Sequence, residues 1–165
     1  MSGPPRLDRR LAAAALGISS AFAANAAAQD VAIEDVLVTQ AIRFFATPLV
    51  GENVTFVRVF VETPTTSAPV PGVDALLRVF VDGVEAGFSP VRSINGPITS
   101  PSNPSDLVLD DHLNFLFVAP TSSDVDLRVV LNPSLQVPDD DLGNNIAEIN
   151  NLNFQCRGTV DLTYV

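Results

Sequence analysis

Two short segments, VRVFVE (57–62) and LRVFVD (77–82), limit what this chain can fold into. Both alternate side chain by side chain, and a strand turns successive side chains to opposite faces. In 54–62 one face carries Val54, Phe56, Arg58, Phe60 and Glu62. The other carries Thr55, Val57, Val59 and Val61. In 75–82 the same split sets Leu76, Arg78, Phe80 and Asp82 against Ala75, Leu77, Val79 and Val81. The Val faces carry no charge, so they are the expected core. Burying Arg58 and Arg78 is costly unless each is paired, so the Arg/Phe faces should point outward, with the Arg stems lying over apolar neighbours. In one sheet, Arg58, Phe60, Arg78 and Phe80 would form a single apolar interaction surface flanked by cations. In opposite sheets, a loop should cover each Phe. A weaker copy, LRVVLN (127–132), comes fifty residues after the second segment, which itself follows the first by twenty. Such uneven spacing excludes a regular repeat array.

The rest of the chain reads as further short strands. VAIEDVLVTQAIRF (31–44) is mostly apolar, and NVTFVRVFVE (53–62) and DALLRVFV (74–81) are rich in β-branched and aromatic residues. Asp82-Gly83 predicts a tight hairpin into VEAGFSPVRS (84–93), because such a turn needs positive φ and Gly supplies it cheaply. Strands are also expected at Leu113–Val118, in VDLRVVLNP (125–133) and within 146–165. TPTTSAPVPG (63–72) and INGPITSPSNPSD (94–106) read as loops from their Pro content. No convincing helix follows the N-terminal segment. About seven short strands with frequent turns predict an all-β, immunoglobulin-like antiparallel β-sandwich.

Residues 1–28 have the pattern of a secretory signal peptide. MSGPPRLDRR carries three Arg, and LAAAALGISSAFAANAAA is small and apolar. Two A-x-A sites occur, and cleavage after Ala28 would leave one domain, 29–165. The apolar run is shorter than the roughly 20 residues a bilayer span needs. Removing 1–28 leaves six Arg against eighteen acids, a formal charge of 6 − 18 = −12, and the chain has no Lys. That balance repels phosphate backbones and disfavours nucleic acid. The signal-peptide pattern implies a protein secreted, periplasmic or on the cell surface, with no membrane span in the mature chain. The lone Cys156 cannot form an internal disulfide; it reads as a buried thiol in a strand, as an intermolecular bridge, or as one of a pair whose partner cysteine lies in sequence that this chain does not carry.

Catalytic motifs are missing. His112 is the one histidine, and neither HExxH nor GxSxG occurs. Asp110-Asp111-His112 reads as a turn leading into a strand, since adjacent strand residues cannot all point one way. The candidate metal site is the loop Asp139-Asp140-Asp141 with Asn144 and Asn145, and Glu148 nearby. Calcium takes several oxygens from a flexible loop. The spacing does not match an EF-hand, and Asp and Asn also form turns by bonding their own backbone.

Three pieces together carry a family resemblance. LVTQAIRFFATPLVGENVTFVRVFV (37–61), HLNFLFVAP (112–120) and VDLRVVLNPSLQVPDDDLGNNIAEI (125–149) resemble CARDB-like domains, the cell-adhesion-related modules of bacterial exported proteins. The last piece runs from a strand through Asn-Pro and an acidic turn to Asn-Asn, and the resemblance spans roughly 37–165. It implies an immunoglobulin-like sandwich in which VRVFVE and LRVFVD are neighbouring strands. It also implies a non-catalytic binding, adhesion or spacing role toward an extracellular protein or glycan, or toward a downstream domain. Some such domains lie ahead of secreted metallopeptidase domains, so an accessory domain of that kind is the alternative.

Overall fold

The computed structural model describes residues 30–40, 49–63, 68–101, 104–105 and 107–156. The signal-peptide reading at 1–28 and the last residues, 157–165, lie outside them. Among the described residues there are eleven strands and two single 3-10 turns, Leu109–Asp111 and Leu142–Asn144.

The longer strands are β1 (Ala32–Thr39), β3 (Val54–Glu62), β5 (Ala75–Val81), β9 (Leu113–Val118), β10 (Ser122–Leu131) and β11 (Ile146–Gln155). Short pieces join them: β2 (Leu49–Val50), β4 (Val70–Val73), β6 (Val84–Glu85), β7 (Val91–Arg92) and β8 (Ile98–Ser100). One sheet has the order β1-β3-β9. A second runs β2-β11-β10-β5-β6, with β7 also pairing β5, and β4 and β8 form a small third pair. All pairings are antiparallel except β2 with β11.

VRVFVE and LRVFVD are not neighbours, which corrects the expectation drawn from the resemblance. β3 lies at the centre of the first sheet, and β5 lies in the second beside β10. Each strand has one uncharged face, and such a face needs an opposing layer to cover it. Placing the strands in opposite sheets lets Val57, Val59 and Val61 share one buried cluster with Ala75, Leu77 and Val79. β9 adds Leu113, Phe115 and Phe117 from one side; β10 adds Val125, Leu127, Val129 and Leu131 from the other. Phe117 meets Phe154 of β11 edge-on across the gap, with ring centroids 6.5 Å apart. Each fully buried Val, Leu or Phe contributes about 1.5–3 kcal/mol, so this cluster dominates stability.

The turn at Asp82-Gly83 forms as its residues dictate. Val81 pairs Val84, and both turn residues take positive φ, 49° and 76°. The returning strand is broken between β6 and β7. Pro90 has no N–H to give a ladder, and the Ser89 hydroxyl bridges the gap, accepting from Val79 N at 3.1 Å and donating to Glu85 at 2.8 Å. Two segments read as loops contain strands. Val70 and Val73 of β4 are fully buried, and β4 pairs with β8. Pro71 and Gly72 sit on the exposed side, at a register shift. Cys156 is exposed and lies just beyond β11, not inside a strand.

Candidate functional site

Directly paired strand residues point to the same side of a sheet, so the register shows what each outer face presents. On the first sheet, Leu37 lies opposite Arg58, Thr39 opposite Phe56, Leu116 opposite Phe56 and Val118 opposite Val54. Leu116 and Val118 are 42% and 58% exposed, and Val54 is 58% exposed. These residues make an outer face that is apolar along most of β3 and β9.

Arg58 is the cation in the middle of that face. Its guanidinium lies 5.9 Å from the Phe56 ring and 5.8 Å from the Phe60 ring. Its Nε donates to Asn114 Oδ1 at 3.3 Å. Asn114 in turn donates to the carbonyls of Leu109 and His112, at 2.8 and 3.0 Å. The 3-10 turn before β9 thereby folds over the end of the sheet. It buries His112 and sets its ring 4.6 Å from Phe60. Phe60 is therefore covered by this segment, as a Phe in separate sheets was expected to be.

The outer face of the second sheet has the opposite character. Arg78 lies directly opposite Arg128, and Arg128 opposite Glu148. Like charges facing each other on a sheet destabilise it, and two glutamates flank the pair. Glu85 receives Arg78 Nε at 3.0 Å and a second guanidinium nitrogen at 2.5 Å. That guanidinium and then the Ser89 hydroxyl hold the Glu85 carboxyl at a pKa of about 2, while Arg78 is pushed up by the same contact. Arg128 is held more loosely, with Nε 3.5 Å from Glu148. Phe80 stands beside Arg78, 5.4 Å from its guanidinium. A cleft of about 210 Å³ lies here, lined by Phe80, Asp126, Leu127, Arg128, Glu148 and Asn150. The four candidate surface residues therefore fall into two pairs on opposite outer faces: Arg58 with Phe60, and Arg78 with Phe80.

In the candidate metal loop, Asp141 caps the 3-10 turn by accepting from Gly143 N at 2.9 Å. Asp139 accepts from Asp141 N at 3.3 Å and from Asn145 Nδ2 at 2.7 Å. Asn144 Nδ2 donates to Asp30 at 3.0 Å. Asp140 points to solvent. The structure thus pairs Asp139 with Asn145, pairs Asn144 with Asp30 from the other end of the described chain, and leaves Asp140 exposed. Nothing in local sequence spacing pointed to Asp30, which is 114 positions from Asn144. Among the described residues no three His, Cys, Asp or Glu side chains converge to hold a metal, and no helix is long and apolar enough to cross a membrane.

No family model matches the chain, and no curated protein matches it. Among solved structures it is similar to the CARDB domain of a Pyrococcus furiosus protein, itself solved in complex with di-metal ions. The two share 14% identity at a TM-score of 0.43, over 77% of this chain and 94% of that one.

Proposed function

We propose that residues 1–28 direct export and that 29–165 form a non-catalytic, immunoglobulin-like β-sandwich module of CARDB-like kind, which binds a protein partner outside the cytoplasm. The observation that carries this reading is the outer face of the β1-β3-β9 sheet. There Val54, Leu116 and Val118 are about half exposed or more around the Phe56–Arg58 pair. Exposed apolar residues contiguous on one face mark an interaction site, and aromatic and Arg residues are enriched at protein interfaces. The strand order supports the immunoglobulin-like reading. β1-β3-β9 against β11-β10-β5 has the connectivity of an A-B-E sheet facing a G-F-C sheet, with β6 and β7 at the position of an added edge strand.

The test uses the purified chain and the cell-wall and secreted-protein fractions of the producing culture. The chain should co-sediment with one of them. Leu116→Asp with Val118→Asp should abolish that while leaving the melting temperature within a few degrees. Unchanged sedimentation would remove this face from the function. A glycan partner is favoured by a different observation, the cleft beside Phe80, where a ring, a guanidinium, a carboxylate and an amide stand together. Binding that follows Phe80→Ala and Asn150→Ala instead of the Leu116/Val118 pair would select it. The accessory-domain alternative requires coding sequence after Val165 that carries HExxH.

A further inference from the structure

We infer that the free edge of β9 pairs antiparallel with β9 of a second copy of this chain, through Leu116 and Val118, so that the β1-β3-β9 sheets of the two copies run on as one. This rests on the backbone at the edge of the sheet and does not depend on the outer face proposed above as a binding surface. In an antiparallel strand the N–H and C=O of one residue point to the same side, and the side alternates along the strand. Ala119 N donates to the Asn53 carbonyl at 3.0 Å, and the Ala119 carbonyl accepts from Glu52 N at 2.8 Å, so the odd-numbered residues of β9 bond toward β3. The even-numbered ones turn away. Asn114 N donates to Asn95 Oδ1 at 3.0 Å, and the Asn114 carbonyl accepts from Ile94 N at 2.8 Å, which caps the edge at that residue. Leu116 and Val118 face the same way beyond the cap, and among the described residues nothing bonds to their N–H and C=O.

The other long strands with an open edge are guarded. β1 carries Glu34 and Asp35 and shifts register between Ile33 and Asp35. β11 meets β2 only at Phe154 and Gln155; along the rest it carries Glu148, and Asn151 takes positive φ. Charges and bulges are devices that keep an edge from pairing. β9, LNFLFV, has no charge, no Pro and no register shift. An acidic chain repels its own copies over most of its surface, and this uncharged edge is where two copies meet with least repulsion. The cap then fixes the register. Centring the pair on Leu116 would set Val118 against the capped Asn114. Centring it on Phe117 sets Leu116 against Val118 of the second copy, twice over, and each such pair exchanges both of its N–H···O bonds, as a twofold interface requires. The Leu116 and Val118 side chains, 42% and 58% exposed, cover each other across the junction. On the inner side Phe117 meets its counterpart, with the half-exposed Phe88 stacked on it at 6.0 Å.

The experiment is sedimentation velocity of the purified mature chain from about 10 µM to about 1 mM, with reductant present so that no Cys156 bridge contributes. The mass should rise toward twice that of the monomer. Val118→Lys puts a cation on the edge while lowering the net negative charge, so general repulsion falls; it should still weaken dimerisation by about tenfold or more. Leu116→Pro should do the same, since it removes an N–H that points away from β3 and leaves the β3–β9 ladder whole. Amide hydrogen exchange on the unaltered chain reads the edge without any variant. The Leu116 and Val118 amides should gain protection as concentration rises, and those of Phe115 and Phe117 should be protected throughout. A chain still monomeric at about 1 mM, a dimer that survives both variants, or Leu116 and Val118 amides that exchange equally fast in monomer and dimer would each overturn the pairing. A monomer that co-sediments with the culture fractions keeps the outer face and removes the edge; a dimer that co-sediments with none does the reverse.

Discussion

The two outer faces of the sandwich start from nearly the same six residues and end with opposite chemistry. In β3, Arg58 is held among Phe56, Phe60 and Asn114 on a face that is otherwise apolar. In β5, Arg78 is locked to Glu85 in a charged row where the facing cations Arg78 and Arg128 are flanked by Glu85 and Glu148. The inward Val faces of both strands are equivalent, since both lie in one cluster. What differs is the neighbouring strand. β9 sets Asn114, Leu116 and Val118 beside β3, whereas β10 sets Arg128 and Asp126 beside β5. A strand's inner face is therefore fixed by its own alternation, and its outer face takes its character from its partners.

Inward changes should be the most damaging and should not distinguish the two strands. Val59→Ala and Val79→Ala should each cost about 2–4 kcal/mol in denaturant unfolding, because both residues are fully buried. A large inequality between them would break the equivalence of the inner faces.

The outer faces should then separate under acid. Glu85 has a carboxyl lowered from 4.5 to about 2 in the folded chain. Its contribution to stability is fully present above pH 4.5 and fades as the pH falls toward 2, since the unfolded state takes up the proton first. Glu85→Gln should flatten that part of the stability–pH curve, and Arg58→Met should leave it unchanged. An acid profile insensitive to Glu85→Gln would show that the pair does not act on folding.

A smaller effect concerns Arg58 itself. Arg58→Lys keeps the charge but loses the planar group between two rings. It should cost about 0.5–1 kcal/mol, the scale of an exposed cation–π contact. Arg78→Lys should instead leave a single-point ion pair with Glu85 and raise the Glu85 pKa, readable by NMR titration. If Arg58→Lys moved the Glu85 titration as well, the two faces would not be independent.

Much of this fold was legible residue by residue. The buried Val57, Val59, Val61, Leu77 and Val79 follow from alternation, and the β5–β6 turn from Asp82-Gly83. The strand at Leu113–Val118 also falls where its residues placed it. β4 and β8 were hidden because Pro71 and Gly72 mimic a loop, and two strands of three and four residues bury Val70, Val73 and Ile98 with too little pattern to read. The acidic loop was visible as Asp139 to Asn145, but Asp30 was not, because its contact spans most of the chain.

The sequence by itself determined that this chain builds short strands with one apolar face each. It also determined where the tight turn falls and how acidic the surface is, because these depend on side chains within a few positions of one another. Only the tertiary structure decided that VRVFVE and LRVFVD belong to different sheets. It alone set Arg58 among aromatics and Arg78 against Glu85, and it alone brought Asp30 to Asn144. Those outcomes depend on which strands pair and in what register: the apolar faces fix which side turns inward, while the outward side chains that meet across each ladder come from segments far apart in the chain.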